Sequence, residues 1–436
     1  MTFSVVIPFT PESASTAVAL AEAVRAPGAD VLLAGPQRLD VTGARALEVS
    51  GGPGRALRQG LQAVKQPITI VLDPHLQIGA DDVSAVAAPV ANDTADAVFG
   101  EHPSSSASFQ QRTLIQLVRR VTGVAMRAPF SGVRAFRTDA LQKLSLRAED
   151  EAIDPEILVK LAAQHFRIRE VPVSSLAPPS SLQLELRRAR TLFRYLGFTN
   201  DADNMHEGYN TLARMDTAPN YNAWLGRKFR KYLGRRVLEV GSGIGTITQQ
   251  IEQGLELLIA LEVDTFYVER LRNMFRDKPH VRPYLSGVER ADWERLAKER
   301  LDSVVLSNVL EHIEDDAEAI RNFRLVLQPG GKLVIFVPAL QPLYGAMDEA
   351  VGHFRRYDMN RLRRLLSENG FEVEELEWMN AVGIPGWLVN STLLRRRTMP
   401  MLQLRVFDKI APAIAAMESR VKLPVGLGLF AVARAV

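Results

Sequence analysis

Three features are missing from the 436-residue sequence, and each absence excludes a class of function. There is no cysteine, which excludes disulfides, zinc–thiolate sites and cysteine nucleophiles. No run of about 18 apolar residues occurs, so no segment is expected to span a bilayer. The net charge is only +3, too small for the broad basic field of a nucleic-acid-binding protein. The first residues resemble a strand more than a secretory signal, and we expect a cytoplasmic protein that binds no nucleic acid.

The length predicts two domains, and the pattern of the first half predicts an α/β sheet. A chain of this size exceeds a typical single domain. Buried strands are predicted at 4–8, 30–34, 68–73 and 95–100. Helices are predicted between or after them at 13–26, 54–66 and 108–122. Such alternation is typical of α/β domains, and the Ser/Pro-rich stretch 174–181 indicates where the first domain ends.

The most informative stretch of the second half is RRVLEVGSGIGTITQQI, residues 235–251. It predicts a short buried strand, a glycine-rich turn and the first turn of a helix. Backbone N–H groups at such a junction face a ligand, and the missing Cβ atoms let that ligand approach closely. A second predicted strand ends in Glu262, where such folds place a carboxylate that accepts ribose hydroxyls. A dinucleotide fingerprint would need glycine at position 246, and this chain has Thr246.

The glycine spacing and the segments that follow it resemble a known family. G-x-G-x-G with an acid two residues upstream is similar to the first motif of class I S-adenosylmethionine-dependent methyltransferases. LDSVVLSNVLEHI (301–313) and QPGGKLVIFVP (328–338) are similar to the fourth and fifth motifs. The resemblance implies a Rossmann-like, seven-stranded domain over 235–436 with S-adenosyl-L-methionine as cofactor. The implied cofactor-binding residues are Glu239, Gly241, Gly243, Gly245, Glu262 and Asn308.

The loop 340–358 carries the candidates for substrate chemistry. Within it, G-H-x-R-R-Y matches the same family, and the match covers His353, Arg355, Arg356 and Tyr357. His353 is a candidate general base on a substrate hydroxyl, and the other three are candidates for binding an anionic substrate. In the competing interpretation, His353 and Tyr357 only hold the loop. His312 is the second catalytic candidate, with a place in the wall of the cofactor pocket as its alternative.

The first half resembles a family 2 glycosyltransferase with a GT-A fold, in the polyprenyl-phosphate mannosyltransferase branch. The resemblance rests on VVIP (5–8), GGPGRALRQG (51–60), LDPHLQ (72–77), SGVRAF (131–136) and IDPEILVKLAAQHFRIREVPV (153–173). In that family a D-x-D pair holds the divalent ion that bridges the phosphates of the donor, because hard cations prefer oxygen ligands. This chain has Asp73-Pro74-His75 instead. We therefore predict a degenerate, non-catalytic domain over 1–175. The alternative is a working transferase in which Asp73 and His75 bind a metal; no other metal site is predicted.

Residues 176–234 are predicted to form a linker and a helical bridge. In 182–196, apolar residues recur at helical spacing among arginines. This pattern fits a helix that packs its apolar face and leaves a basic face in solvent, or one that rests on anionic lipid. The segment 220–224, N-Y-N-x-W, resembles a helical cover over the cofactor in similar methyltransferases, and Trp224 as a core anchor is the alternative.

The insertion 381–424 separates the last two predicted strands, which this fold normally joins by a short hairpin. A lid or packing element is one interpretation. Aromatic and basic residues in 384–397 also favour contact with a membrane surface.

Together these features predict methyl transfer to a hydroxyl or acid of a glycan, a lipid-linked sugar or a related small molecule. The acceptor class is an analogy with the neighbouring domain. Two alternatives stay open: a bifunctional glycosyltransferase and methyltransferase, and a scaffold in which both sites are silent. The protein is expected in the cytoplasm, with peripheral membrane contact through 182–196 and 384–397 as an option.

Overall fold

The computed structural model describes residues 2–25, 28–102, 108–175, 181–195 and 208–436. The chain divides into two compact units, Met1–Met205 and His206–Val436, each with a seven-stranded sheet. The predicted two-domain α/β architecture is therefore confirmed. Segments 176–180 and 196–207 of the predicted bridge lie outside the described residues. None of the described helices has the length and apolar content needed to cross a membrane.

The first unit alternates strands and helices as its sequence predicts. Its strands are β1 (Phe3–Pro8), β2 (Ala29–Gly35), β3 (Ala44–Glu48), β4 (Ile68–Leu72), β5 (Ala97–Glu101), β6 (Val133–Arg137) and β7 (Ile168–Pro172). Its helices are α1 (Ala14–Ala23), α2 (Pro53–Ala63), α3 (Ala80–Ala91), α4 (Phe109–Thr122), α5 (Thr138–Gln142), α6 (Ile153–Ala163) and α7 (Leu182–Tyr195). The sheet order is β3-β2-β1-β4-β6-β5-β7, and β6 runs antiparallel to β4 and β5.

Both faces of this sheet are covered. In β1, Val5 and Ile7 belong to one hydrophobic cluster, whereas Val6 belongs to another on the opposite face. Alternate residues of a strand point to opposite faces, so a strand that is apolar throughout must be covered on both sides. This agrees with the buried strand predicted at 4–8.

Helix α7 differs from the interpretation in which the segment 182–196 packs its apolar face and leaves its basic face in solvent. Its apolar side chains Leu186 and Phe193 are exposed, while Leu192 is fully buried. The reason is electrostatic, because Arg188 lies 3.2 Å from the partly buried carboxylate of Asp154. The arginine also stacks on an aromatic ring of the same unit. The ion pair therefore turns part of the basic face inward and leaves an apolar stripe outside.

The second unit has the same kind of alternation. Its strands are β8 (Arg236–Val240), β9 (Leu257–Glu262), β10 (Val281–Leu285), β11 (Leu301–Ser307), β12 (Leu327–Pro338), β13 (Phe371–Met379) and β14 (Gly428–Ala435). Its helices are α8 (Tyr209–Asp216), α9 (Pro219–Arg230), α10 (Thr246–Ile251), α11 (Thr265–Met274), α12 (Trp293–Ala297), α13 (Asp316–Val326), α14 (Ala346–Val351), α15 (Met359–Glu368), α16 (Gly383–Trp387) and α17 (Met401–Glu418).

The strand order of the second sheet, β10-β9-β8-β11-β12-β14-β13, creates a ligand-binding edge. Strands β10, β9, β8, β11 and β12 are parallel, so their carboxyl ends share one edge. From β8 the chain continues outward on one side through β9, and later on the other side through β11. Open α/β sheets bind ligands at such a switch point. The predicted Rossmann-like fold with seven strands is confirmed.

The insertion between β13 and β14 consists of α16, a π-helical turn (Leu388–Leu393) and α17. Helix α17 packs on α9 through Leu404, Ala411 and Ile414, which are buried in one cluster with Trp224. The packing role predicted as one alternative for the insertion therefore describes α17, and Trp224 is a core anchor.

Candidate active site

The glycine turn after β8 has a backbone that only glycine adopts readily. Gly241, Gly243 and Gly245 have φ angles of +70°, +52° and +87°, in the left-handed region. A Cβ atom at Gly241 would lie 2.5 Å from Cγ2 of Val309, and one at Gly245 would lie 2.9 Å from Sδ of Met274. Side chains would therefore fill the space at the end of β8. The turn keeps that space and its backbone N–H groups available to a ligand.

Glu239 holds this turn from inside the protein. It is 3% exposed, and its carboxylate accepts hydrogen bonds from the hydroxyls of Thr248 at 2.6 Å and Ser242 at 3.1 Å. Burial raises the pKa of Glu239 to about 7, and the two hydroxyl bonds oppose that rise. These contacts favour a positioning role over the predicted direct contact with a cofactor.

Glu262 is brought beside the glycine turn as predicted. Its carboxylate accepts hydrogen bonds from the backbone N–H groups of Gly243 and Val263, both at 2.8 Å, and of Asp264 at 3.2 Å. Burial raises the pKa of Glu262, although the three N–H groups oppose the rise. The carboxylate lies at the carboxyl end of β9, next to the strand that carries the turn. It is the group best placed to accept hydroxyl hydrogen bonds there.

Helix α8, which the sequence analysis missed, lies against the turn. A Cβ at Gly243 would approach Leu212 to 3.4 Å, and Thr246 Oγ1 donates a hydrogen bond to Asp216 at 2.8 Å. The predicted cover, residues 220–224, lies instead in α9. Its Tyr221 is buried in the core. Only a contact between distant segments identifies α8, and no local motif marks it.

Asn308 follows β11 with φ of +53°, and its backbone N–H bonds to the carbonyl of Phe336 at 2.8 Å. Its side chain is exposed at the same sheet edge as the glycine turn. The next residue, Val309, packs over Gly241. Asn308 therefore remains a candidate contact for the cofactor, and the chain passes directly from it to Glu311 and His312.

A histidine–aspartate pair lies in the loop after β12. Nδ1 of His353 and Oδ1 of Asp348 are 2.8 Å apart. The same oxygen accepts a hydrogen bond from Nε of Arg356 at 2.9 Å, and Oδ2 accepts one from the N–H of Gly345 at 3.0 Å. Burial would raise the pKa of Asp348, but the bond from His353 and the charge of Arg356 hold it below its usual range. An ionised Asp348 leaves Nε2 of His353 as the proton-accepting nitrogen.

The second nitrogen of His353 faces Glu311. Nε2 lies 3.7 Å from Oε1 of Glu311, which is fully buried and whose two oxygens have no hydrogen-bond partner among the described residues. Burial raises the pKa of Glu311 to about 8, so this carboxyl is largely protonated at neutral pH. The ring of His312 packs edge-on against His353, with centroids 4.6 Å apart. Partial removal from water and the neighbouring His353 lower the pKa of His312.

The structure thus joins the two predicted catalytic histidines and adds two acids that the sequence analysis did not assign to catalysis. The signal for Asp348 is weak, since it is only an acid five residues before a histidine in the same loop. The donor atoms of Glu311, His312 and His353 all lie within 4.8 Å of one another. A carboxylate and two imidazoles are ligands that a divalent transition metal accepts. This is the set of described residues in the second unit that could hold a metal.

Arg356 and Tyr357 are buried, which argues against the substrate contact predicted for them. The guanidinium of Arg356, 2% exposed, bonds Asp348 and the carbonyl of Ala339. The hydroxyl of Tyr357, fully buried, donates to Asp316 at 2.9 Å. Arg355 also pairs with Asp316, at 2.9 Å. All three hold the loop that carries His353, as the competing interpretation of this motif proposed for Tyr357.

In the first unit, Asp73 and His75 follow β4. The backbone N–H of His75 donates to Oδ1 of Asp73 at 2.9 Å, and the imidazole is exposed. The carboxylate therefore closes a tight local turn of the kind that Asp favours. This contact favours a structural role for Asp73 and leaves the metal role predicted as an alternative untested.

Comparisons with known proteins agree with the architecture. Residues 191–376 match a family described as methyltransferase domain. The chain is 29% identical over 144 residues to a probable S-adenosylmethionine-dependent methyltransferase of Mycolicibacterium smegmatis, covering 33% of this chain and 54% of that protein. The curated relatives that lead the comparison are matched over about half of their own length.

Solved structures similar to about half of the chain are known. An S-adenosylmethionine-dependent methyltransferase from Mesorhizobium loti is 16% identical with a TM-score of 0.34, covering 50% of this chain and 99% of that one. Glucosyl-3-phosphoglycerate synthase from Mycobacterium tuberculosis is 18% identical with a TM-score of 0.39, covering 46% and 82%.

The motifs, the sheet and the family match identify the second unit as a class I methyltransferase domain, and residues 191–376 match the methyltransferase domain family. The cofactor of this class is S-adenosyl-L-methionine. The left-handed glycines and Glu262 fit such a ligand, because the turn leaves space that a Cβ would fill and the carboxylate can accept ribose hydroxyls. The predicted order of an α/β domain followed by a methyltransferase domain is confirmed. The resemblance of the first domain to a glycosyltransferase stays a prediction.

Proposed function

We propose that this protein transfers a methyl group from S-adenosyl-L-methionine to a hydroxyl or acid of a glycan, a lipid-linked sugar or a related small molecule. The observation that carries the proposal is the presence, on one sheet edge, of the glycine turn with Glu262 and of the pair His353–Asp348. The first group of residues suits a nucleoside ligand, and the second suits proton removal from an acceptor.

The residues would divide the work as follows. Bound S-adenosyl-L-methionine supplies an electrophilic methyl group, so the protein needs to align the acceptor and remove its proton. Nε2 of His353 takes that proton, and Asp348, which accepts the hydrogen bond from Nδ1, stabilises the resulting imidazolium. The protonated carboxyl of Glu311 can donate a hydrogen bond to an acceptor oxygen, since its own oxygens have no partner in the described part of the chain.

Calorimetric titration with S-adenosylhomocysteine tests the cofactor half of this proposal. Glu262→Gln should weaken binding at least tenfold, because hydrogen bonds to a charged group contribute roughly 1.5–3 kcal/mol each. Glu256→Gln, at a surface position paired with Arg235, is the matched control. No binding by the wild type would exclude the proposal and leave a scaffold.

The acceptor half is tested by the conversion of S-adenosylmethionine to S-adenosylhomocysteine with a panel of free glycans and polyprenyl-phosphate sugars. His353→Ala should lower the rate by about a hundredfold or more, the usual contribution of a general base. His280→Ala, which breaks only a partly buried contact with Glu252, should leave the rate unchanged. Equal rates in the two variants would remove His353 from the mechanism.

For the first domain we propose a non-catalytic role. The second carboxylate of the metal motif is absent, and the remaining one, of Asp73, accepts a hydrogen bond from the backbone of His75. Metal-dependent turnover of a sugar nucleotide that Asp73→Asn abolishes would instead establish a bifunctional enzyme.

A further inference from the structure

The insertion 381–424 carries an unusual charge for this chain. It contains seven arginines and lysines but only two acids, whereas the whole protein has a net charge of only +3. The basic residues thus exceed the acids by five in this segment, whereas the rest of the chain has 46 basic and 48 acidic residues.

Helix α17 separates its residues into an inner and an outer face. The inner face packs on α9, as described above. The outer face presents apolar side chains at helical spacing, and their exposed fractions are large: 76% for Leu402, 53% for Val406 and 43% for Ile410. Met417 continues the same row. A surface helix normally exposes polar residues to water, whereas this outer row exposes apolar side chains.

The charged groups of α17 are separated in the same way. Its two acids point inward: Asp408 accepts hydrogen bonds from the N–H of Tyr221 at 3.0 Å and from Asn220, also at 3.0 Å. Glu418 accepts from the N–H groups of residues 380 and 381. Its two cations, Arg405 and Lys409, are exposed beside the apolar row. They form no ion pair with any residue that the structure describes.

The end of the preceding π-helical turn extends this surface. Leu393 and Leu394 are 68% and 55% exposed, and Arg395 and Arg397 follow them in solvent. Nδ2 of Asn390 donates to Gln403 at 2.6 Å, so this turn is tied to the first turn of α17. The apolar–basic surface consists of Leu393, Leu394, Leu402, Val406, Ile410 and Met417, with its exposed arginines and lysine.

We propose that the apolar–basic surface binds the interface of a membrane that contains anionic phospholipids. Apolar side chains enter the boundary between headgroups and acyl chains, while arginine and lysine contact the phosphates. A second copy of this chain fits less well. A two-fold contact through this surface would bring the same cations together without acids to pair them.

The position of the surface bears on the substrate. Nε1 of Trp387, in the same insertion, donates to the carbonyl of Leu343 at 3.1 Å, and the Trp387 ring stacks on Arg356. The insertion therefore contacts the loop that carries His353. Among the proposed acceptors this favours a lipid-linked one, a choice that rests on the proposed methyl transfer; binding to the membrane does not depend on it.

Sedimentation of the full chain with vesicles tests the proposal. Vesicles of phosphatidylcholine mixed with phosphatidylglycerol should bind the protein, and vesicles of pure phosphatidylcholine should bind it much more weakly. The double variant Arg405→Gln/Lys409→Gln should lower partitioning about 25-fold, from roughly fivefold for each cation near an anionic surface. Val406→Ser/Ile410→Ser should also lower it while leaving the charge unchanged. Arg363→Gln/Arg364→Gln, exposed on α15, is the charge-matched control and should bind as the wild type does.

Titration with S-adenosylhomocysteine on each variant checks that the fold and the cofactor site are intact. Failure of the wild type to bind anionic vesicles would overturn the membrane proposal even where the cofactor binds. An equal loss of vesicle binding in the α15 control would show that only the net charge matters, and it would also overturn the membrane proposal. A concentration-dependent dimer in sedimentation velocity, broken by Val406→Ser/Ile410→Ser, would assign the surface to self-association instead.

Discussion

Replacing Asp348 by asparagine should destabilise the second unit more than almost any other change that keeps the shape of the side chain. The carboxylate is fully buried. It pairs with Arg356, which is 2% exposed, and accepts hydrogen bonds from His353 and the backbone of Gly345. Asparagine offers only one oxygen to these three donors, and it leaves the guanidinium without its partner charge.

The magnitude follows from the burial of the pair. Removing one partner of a buried ion pair costs about 3–5 kcal/mol, because the other charge stays in a medium of low polarity. For a unit of this size, about 1 kcal/mol corresponds to roughly 2–4 °C in the melting temperature. We expect Asp348→Asn to melt at least about 6 °C below the wild type. Arg356→Met/Asp348→Asn should recover part of this loss, since replacing a buried pair by apolar groups is often nearly neutral.

Thermal unfolding followed by circular dichroism measures these shifts. The control is Asp358→Asn, at the N-cap of α15, where the side chain accepts from the N–H of Arg361 and asparagine caps equally well. A shift for Asp348→Asn as small as that of the control would refute the reasoning. A double variant less stable than Asp348→Asn alone would show that the pair is not the source of the loss.

Three further predictions concern the cofactor turn, the pH dependence and the first domain. Gly243→Ala and Gly254→Ala both place alanine at positive φ, which should lower stability by about 1–2 kcal/mol in each variant. Only Gly243→Ala should weaken the binding of S-adenosylhomocysteine, and equal affinities of the two variants would contradict the cofactor site. Burial raises the pKa of Glu311 to about 8. Its protonated carboxyl therefore contributes stability that is fully present at pH values below the ordinary carboxyl pKa and is lost as the pH rises toward 8. Glu311→Gln should therefore flatten the fall of the melting temperature over that range, and an unchanged slope would exclude a protonated Glu311. Titration of the wild type with a sugar nucleotide and Mn²⁺ should give no heat; binding that Asp73→Asn removes would contradict a silent first domain.

Secondary-structure features that depend on neighbouring residues were predictable from the sequence. The strand, the three glycines and the helix of residues 235–251 form one local unit, and the apolar run before Glu262 marks a buried parallel strand. The order of such units sets the sheet. Here local preference and the final fold agree, which is the condition under which sequence patterns are reliable.

Features that depend on contacts between distant segments were not predictable. Arginine is among the residues least often buried, so nothing local shows that Arg356 is enclosed; its partner Asp348 becomes visible only once the loop is folded. The inward turn of Arg188 in α7 follows from Asp154, a residue of another helix. The contact of α8 with the glycine turn likewise joins segments that no motif links. In each case a pairing of charge or shape overrides the local pattern.

The two acids of the candidate site have pKa values that their surroundings shift in opposite directions, and this difference supports the roles proposed for them. Asp348 and Glu311 are both fully buried, yet the pKa of the first is lowered by His353 and Arg356, and that of the second is raised by burial. Carboxyl groups with separated pKa values can serve one as a charged partner and the other as a proton donor. The two are also coupled, because the charge of Arg356 lowers the pKa of Glu311. In Asp348→Asn, Arg356 has lost its own partner, and ionisation of Glu311 would neutralise it. The fall in stability that Glu311 causes should therefore end at lower pH in that variant, and the site titrates as one unit.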